Sequence, residues 1–176
     1  MTTPGIAVEI SVPHTMWKTV NFDPRAIARK AVDATLSRVE IPSDIADKTL
    51  EISLVLSGDK EVQVLNWQYR GKDNPTNVLS FTALDDEGAQ AELAAGGPFC
   101  LGDIILAYET IEREATELGK SMRDHYIHLV VHGFLHLLGY DHLEEKEAQK
   151  MEGLEVLVLA DLGIENPYEN HYVMQE

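Results

Sequence analysis

The chain has 176 residues, 44% of them hydrophobic and 25% charged; this is enough to bury a sizeable core and too little for two ordinary domains, so a single domain over residues 1–176 is expected. A net charge of −16, from 14 Lys+Arg against 30 Asp+Glu, argues against a protein that coats nucleic acid through overall basicity. No apolar run approaches the ~20 residues of a membrane span, and the start MTTPGIAVEI lacks the basic and long apolar regions of a signal peptide, which predicts a soluble, cytoplasmic protein without a membrane partner. The single cysteine, Cys100, leaves no internal disulfide and no Cys-rich zinc module, so any metal must be held by His, Asp or Glu.

Gly5 to Val12 alternates and is β-branched, which predicts a strand ended by Pro13. Asp23-Pro24 reads as an N-cap followed by proline at the first helical position, opening a helix to about Arg38 with Ile27, Ala31, Ala34 and Leu36 toward the core. Leu50 to Ser57 alternates again and predicts a second strand. Asp59 to Tyr69 carries Val62, Leu65 and Trp67 in a helical pattern that stops at Gly71, and Lys72 to Thr76 is a turn. Asn77–Phe81 and Asp103–Ala107 read as two further strands, separated by an acidic, Gly- and Ala-rich stretch from Asp85 to Pro98 that is expected to be a mobile surface loop. Three helices follow, Tyr108–Leu118, Met122–Leu138 and Leu143–Leu162, each closed by a glycine; residues 167–176 are expected to form a loosely ordered tail. This order predicts an α+β (mixed α/β) fold, a small four-stranded sheet with helices packed on it.

The charge is unevenly spread: Met1–Lys72 carries 9 basic and 9 acidic residues, and Asp73–Glu176 carries 5 basic and 21 acidic. The neutral half can therefore present local basic surface, through Arg25, Arg29, Lys30 and Arg38 or through Lys60, Arg70 and Lys72.

Five of the seven histidines fall between His125 and His142. At ~100° per residue, His125, His128, His132 and His136 lie within an arc of ~80° on one face of the Met122–Leu138 helix. His132 and His136 stand one turn apart, so both rings can point at a common ion; Gly139 ends the helix, and Tyr140-Asp141 let the chain turn so that His142 returns to the same point. The resulting HGFLHLLGYDH supplies three imidazoles and leaves a fourth zinc position open to water, at the end of a helix in the C-terminal half. His128 lies ~12 Å along the axis from His136 and cannot share its ion; it is expected to be supporting or structural, and His125 an exposed helix histidine. Asp141 is either a turn residue or a carboxylate that orients an imidazole.

The spacing matches the H-E-x-x-H-x-x-G-x-x-H pattern of metzincin proteases except at Gly133, where those enzymes carry the glutamate that takes the proton from zinc-bound water. A zinc peptidase or amidohydrolase is thereby disfavoured, while the metal can still activate water and polarise a phosphoryl oxygen. HGFLHLLGYDH, with NWQYRGKDNPTNVLSF upstream and LGDIIL between, resembles the YbeY family of bacterial metal-dependent endoribonucleases over about Asn66 to Glu155. The resemblance implies one Zn2+ per chain on His132, His136 and His142, and cleavage of single-stranded RNA. It also implies a role at the small ribosomal subunit, in maturation of the 3′ end of 16S rRNA and in ribosome quality control. A further alternative is a ribosome-associated factor with a structural metal. In the family pattern the functional residue before the T-[DN]-V-L-S-F strand is an arginine, which corresponds to Arg70. Arginine suits a phosphate clamp independently of that pattern, since its fork is bidentate and permanently charged; a plain helix-end arginine facing the dipole is the alternative. Asn77 stands where aspartate is common and Thr82 where proline often follows. Thr76, Asn77 and Ser80 are read as structural polar groups near the cleft, and Cys100 as a buried small hydrophobe.

Overall fold

In the computed structural model, residues 4–169 and 172–174 are described. The strands are β1 (Ile6–Ser11), β2 (Leu50–Ser57), β3 (Val78–Thr82) and β4 (Phe99–Ala107). The helices are α1 (Pro24–Leu36), α2 (Asp59–Arg70), α3 (Ala89–Ala95), α4 (Tyr108–Leu118), α5 (Met122–Leu137) and α6 (Glu145–Asp161), with a short 3-10 turn at Thr15–Lys18. The sheet order is β1-β2-β4-β3. β1, β2 and β4 are parallel, and β3 runs antiparallel to β4 at the edge.

Period-two alternation gives the sheet two dry faces. On one, Ile52, Leu54, Leu56, Ile104, Leu106 and Val78 meet α1 and α5 in the main core; on the other, Leu79, Ile105 and Ala107 pack under Val62 of α2. The same alternation in β3 sends Ser80 and Thr82 to the α5 side and Leu79 and Phe81 to the α2 side. α5 is the central element, packed against α1, α4, α6, β3 and β4. Its start is capped by Ser121, whose hydroxyl accepts from the Asp124 N–H, as Asp23 caps α1. Among the described residues, no helix is long and apolar enough to cross a membrane.

The stretch expected to be a mobile loop contains α3, because Ala89 and Leu93 bury one side of it and Lys48 donates to the Leu93 carbonyl at 2.8 Å. Leu93 is the one large apolar residue of this helix, too little to set a readable period, so tertiary contact rather than pattern marks it. β4 begins four residues earlier than expected, and Cys100 is exposed rather than buried. In this strand Phe99 and Leu101 turn inward, so the residue between them must face out; a register shift then follows between Glu51 and Ile52 of the neighbouring strand. The expectation of a loose tail at 167–176 falls partly outside the described residues. Within them, Pro167 is buried, and Tyr168 and Tyr172 bond to groups of the body.

Candidate metal centre

The last two turns of α5 and the loop after them bring His132, His136 and His142 together, one ligand nitrogen from each lying within 4.8 Å of the others. Gly139, with φ +101°, takes a left-handed conformation that costs glycine little, and the chain folds back so that the His142 ring centroid lies 5.1 Å from that of His136. Asp141 is the turn residue: its carboxylate accepts from the His142 N–H at 2.7 Å. Imidazole orientation falls to other groups. His136 donates through Nδ1 to the Tyr140 carbonyl at 3.0 Å, and His132 donates through Nδ1 to Glu155 Oε1 at 2.7 Å.

Both acceptors lack a proton to give, so each ring carries its hydrogen on Nδ1 and turns an Nε2 lone pair inward. The two Nε2 atoms are 3.1 Å apart, close to the ~3.3 Å between two ligands of a tetrahedral ion at Zn–N distances of ~2.0–2.1 Å. The donor set therefore fits a divalent ion that takes three imidazoles. Burial, with the neighbouring His132 and His142, lowers His136 to about 4, so at neutral pH its ring is uncharged and can ligate. A free imidazole titrates near 6.5, so the unfolded chain takes up this proton first. The metal-free protein should lose stability as pH falls from about 6.5 to about 4; thermal melts across that range check it.

Glu155, on α6, is the buried carboxylate beside the cluster that sequence reasoning missed. It is 0% exposed and accepts from His132 at Oε1 and from His128 Nε2 at 2.6 Å, with a third hydrogen bond from the Tyr168 hydroxyl. Burial pushes its carboxyl up, but the hydrogen bonds from His128 and His132 outweigh this and hold it well below the usual range; burial also keeps His128 neutral. A signal was present: Met151, Glu155, Val158 and Leu159 form one buried stripe of α6, and a carboxylate in an apolar stripe needs partners. His128 is thus a supporting residue. His125, expected to be exposed, is 0% exposed and bonds Glu114 of α4 at 2.8 Å, because α4 packs on that turn of α5. Asn77 donates to the same Glu114 oxygen at 2.9 Å, a role that an ionised aspartate at this position lacks. Thr82, in place of proline, donates to the Leu137 carbonyl at 2.9 Å and so closes the end of α5.

A cleft of about 310 Å³ opens over the cluster, lined by His136 and His142, by Ser80 and Thr82 of β3, by Asp85 and Asp141, and by Arg70. Arg70 is the last residue of α2. It crosses the edge of the sheet, donating to the Ser80 carbonyl at 3.2 Å with its guanidinium 5.7 Å from the Phe81 ring centroid. Lys72 shares a neighbouring depression with it. Arg25 and Arg29 instead reach β1, at the opposite edge, where they donate to the Ile10 and Val8 carbonyls, and Arg38 pairs with Asp161.

Gly133 faces β4. A Cβ there would lie 2.9 Å from Ile104 Cγ2 and 3.1 Å from Ser80 Oγ, so no longer side chain fits unless those buried side chains shift. Gly133→Glu is therefore expected to lower stability by about 2–4 kcal/mol through overpacking and a buried, unpaired carboxylate, and not to create peptidase activity; denaturant unfolding and a peptide assay check both parts.

Fold and cluster together define a class: an α+β protein with a three-imidazole centre at the end of a buried helix, faced by an edge strand and an arginine. The family model described as Endoribonuclease YbeY matches residues 13–163. A Paramagnetospirillum magneticum protein named Endoribonuclease YbeY is 47% identical over 163 residues, covering 93% of this chain and 96% of that one. Its namesake in Rhodospirillum rubrum is 60% identical over 119 residues, 68% of this chain and 58% of its own. The solution structure of a Thermotoga maritima protein shares the fold, with a TM-score of 0.52 at 22% identity over 89% of this chain and 92% of that one. The chain belongs to the YbeY endoribonuclease family.

Proposed function

We propose that this protein is a zinc-dependent endoribonuclease of the cytoplasm that cuts single-stranded RNA, acting in maturation of the 3′ end of 16S rRNA at the small ribosomal subunit. The observation that carries the reading is the three-imidazole cluster with Arg70 on the rim of the same cleft, in a chain whose relatives are named endoribonucleases.

His132, His136 and His142 would hold the ion, which when bound supplies an activated water and polarises a phosphoryl oxygen. Arg70 would bind the scissile phosphate through its planar fork and stabilise the charge that develops on it. The Ser80 carbonyl accepts from that guanidinium, which lies over the Phe81 ring. Asp85 and Asp141 are the carboxylates lining the cleft and would be the groups to accept a proton there. Gly133 leaves no base on the helix, which tells against the peptidase reading.

RNA contact should concentrate on Arg70 and Lys72, beside the cleft, since Arg25 and Arg29 lie at the far edge of the sheet and Arg38 is held in an ion pair. Binding should then weaken with salt with the shallow slope of a few phosphate contacts, measured by fluorescence anisotropy at increasing salt. The functional reading is tested by offering a defined single-stranded RNA and an unstructured peptide, each with and without chelator. RNA cleavage abolished by chelator, with the peptide intact, is the expected result; peptide cleavage, or RNA cleavage that ignores chelator, refutes it.

A further inference from the structure

We propose that Glu155 is a positioning residue for the metal centre, and that Tyr168 of the C-terminal segment completes the hydrogen-bond set that fixes it. The inference rests on the reading of His132, His136 and His142 as metal ligands.

Three parts of the chain meet at this one carboxylate: His128 and His132 from α5, Glu155 itself from α6, and Tyr168 from beyond α6. His132 has two ring nitrogens and one proton when neutral. With Nδ1–H donated to Oε1 at 2.7 Å, the lone pair must lie on Nε2, the atom facing His136. A carboxylate acceptor also makes the imidazole a stronger donor toward a cation than a neutral acceptor would. Glu155 cannot rotate away, because its other oxygen is held by His128 at 2.6 Å and by the Tyr168 hydroxyl. The His128 and Tyr168 rings pack edge to face at 5.5 Å, and Tyr172 lies edge-on to His128 at 6.0 Å. Tyr168 and Tyr172 thus pack on His128 behind the cluster, and neither lines the cleft.

The test measures zinc affinity by competition with a chromophoric chelator, alongside melting temperatures with and without zinc, for wild type, Glu155→Gln and Tyr168→Phe. A glutamine offers one acceptor and turns an N–H donor toward the other partners, so zinc affinity should fall about 10–100-fold. Tyr168→Phe removes one donor and should cost about two- to tenfold. Should Glu155→Gln fail to fold, Tyr168→Phe decides alone: weaker zinc binding supports the proposal and unchanged binding overturns it. A merely structural Glu155 would lower both melting temperatures and leave zinc affinity at the wild-type value, which overturns the proposal. If wild type itself takes up no zinc, the ligand assignment beneath it falls as well, and that failure is distinguished by the wild-type control.

Discussion

Replacing Arg70 by alanine is expected to reduce single-turnover cleavage of single-stranded RNA by about 10²–10³-fold, the effect of losing one preorganised charge contact to a transition state. Zinc content should stay at the wild-type level, since arginine is no ligand to the metal. The melting temperature should barely move, because Arg70 is an exposed residue at a helix end. Arg70→Lys should recover little: an ammonium keeps the charge but neither the bidentate fork nor the flat surface that lies over Phe81. Cleavage by Arg70→Ala at the wild-type rate would make it a dipole-facing arginine and leave the cleft without its proposed phosphate clamp.

The second large effect is on metal. His136→Ala removes one of three imidazoles, and a centre left with two should lose stoichiometric zinc and, with it, RNA cleavage. His125→Ala is the matched control on the same helix. It should keep about one zinc per chain, but it is not silent: it strips Glu114 of a buried hydrogen bond and should cost about 1–3 kcal/mol of stability. Metal analysis of the dialysed variants, paired with denaturant unfolding, separates loss of the ion from loss of the fold. Normal zinc in His136→Ala would show the ligand assignment to be wrong.

What the sequence reveals and what it hides divide along physical lines. β2 and α4 are legible residue for residue because each carries its own period and its own stop signal, and the histidine triad is legible because its spacing is local, three rings within eleven residues closed by Gly139. Glu155 lies 23 residues from His132, and nothing in local spacing says which buried carboxylate meets which ring; only the packing of α6 on α5 brings them together. The burial of His125 is hidden for the same reason, its environment being set by Glu114 of α4 rather than by its own helix. The arginines of α1 look like candidates for phosphate binding in one dimension, and only the strand order β1-β2-β4-β3 shows that they sit at the far edge of the sheet from Arg70.

Whether an ion held by the three histidines drives RNA cleavage is decided by titrating zinc into metal-stripped protein while following cleavage of a defined single-stranded RNA. Activity should rise in proportion to bound zinc, level off at about one ion per chain, and remain absent in His136→Ala at every zinc concentration. Full cleavage by the stripped protein, or by His136→Ala, would contradict cleavage driven by that ion.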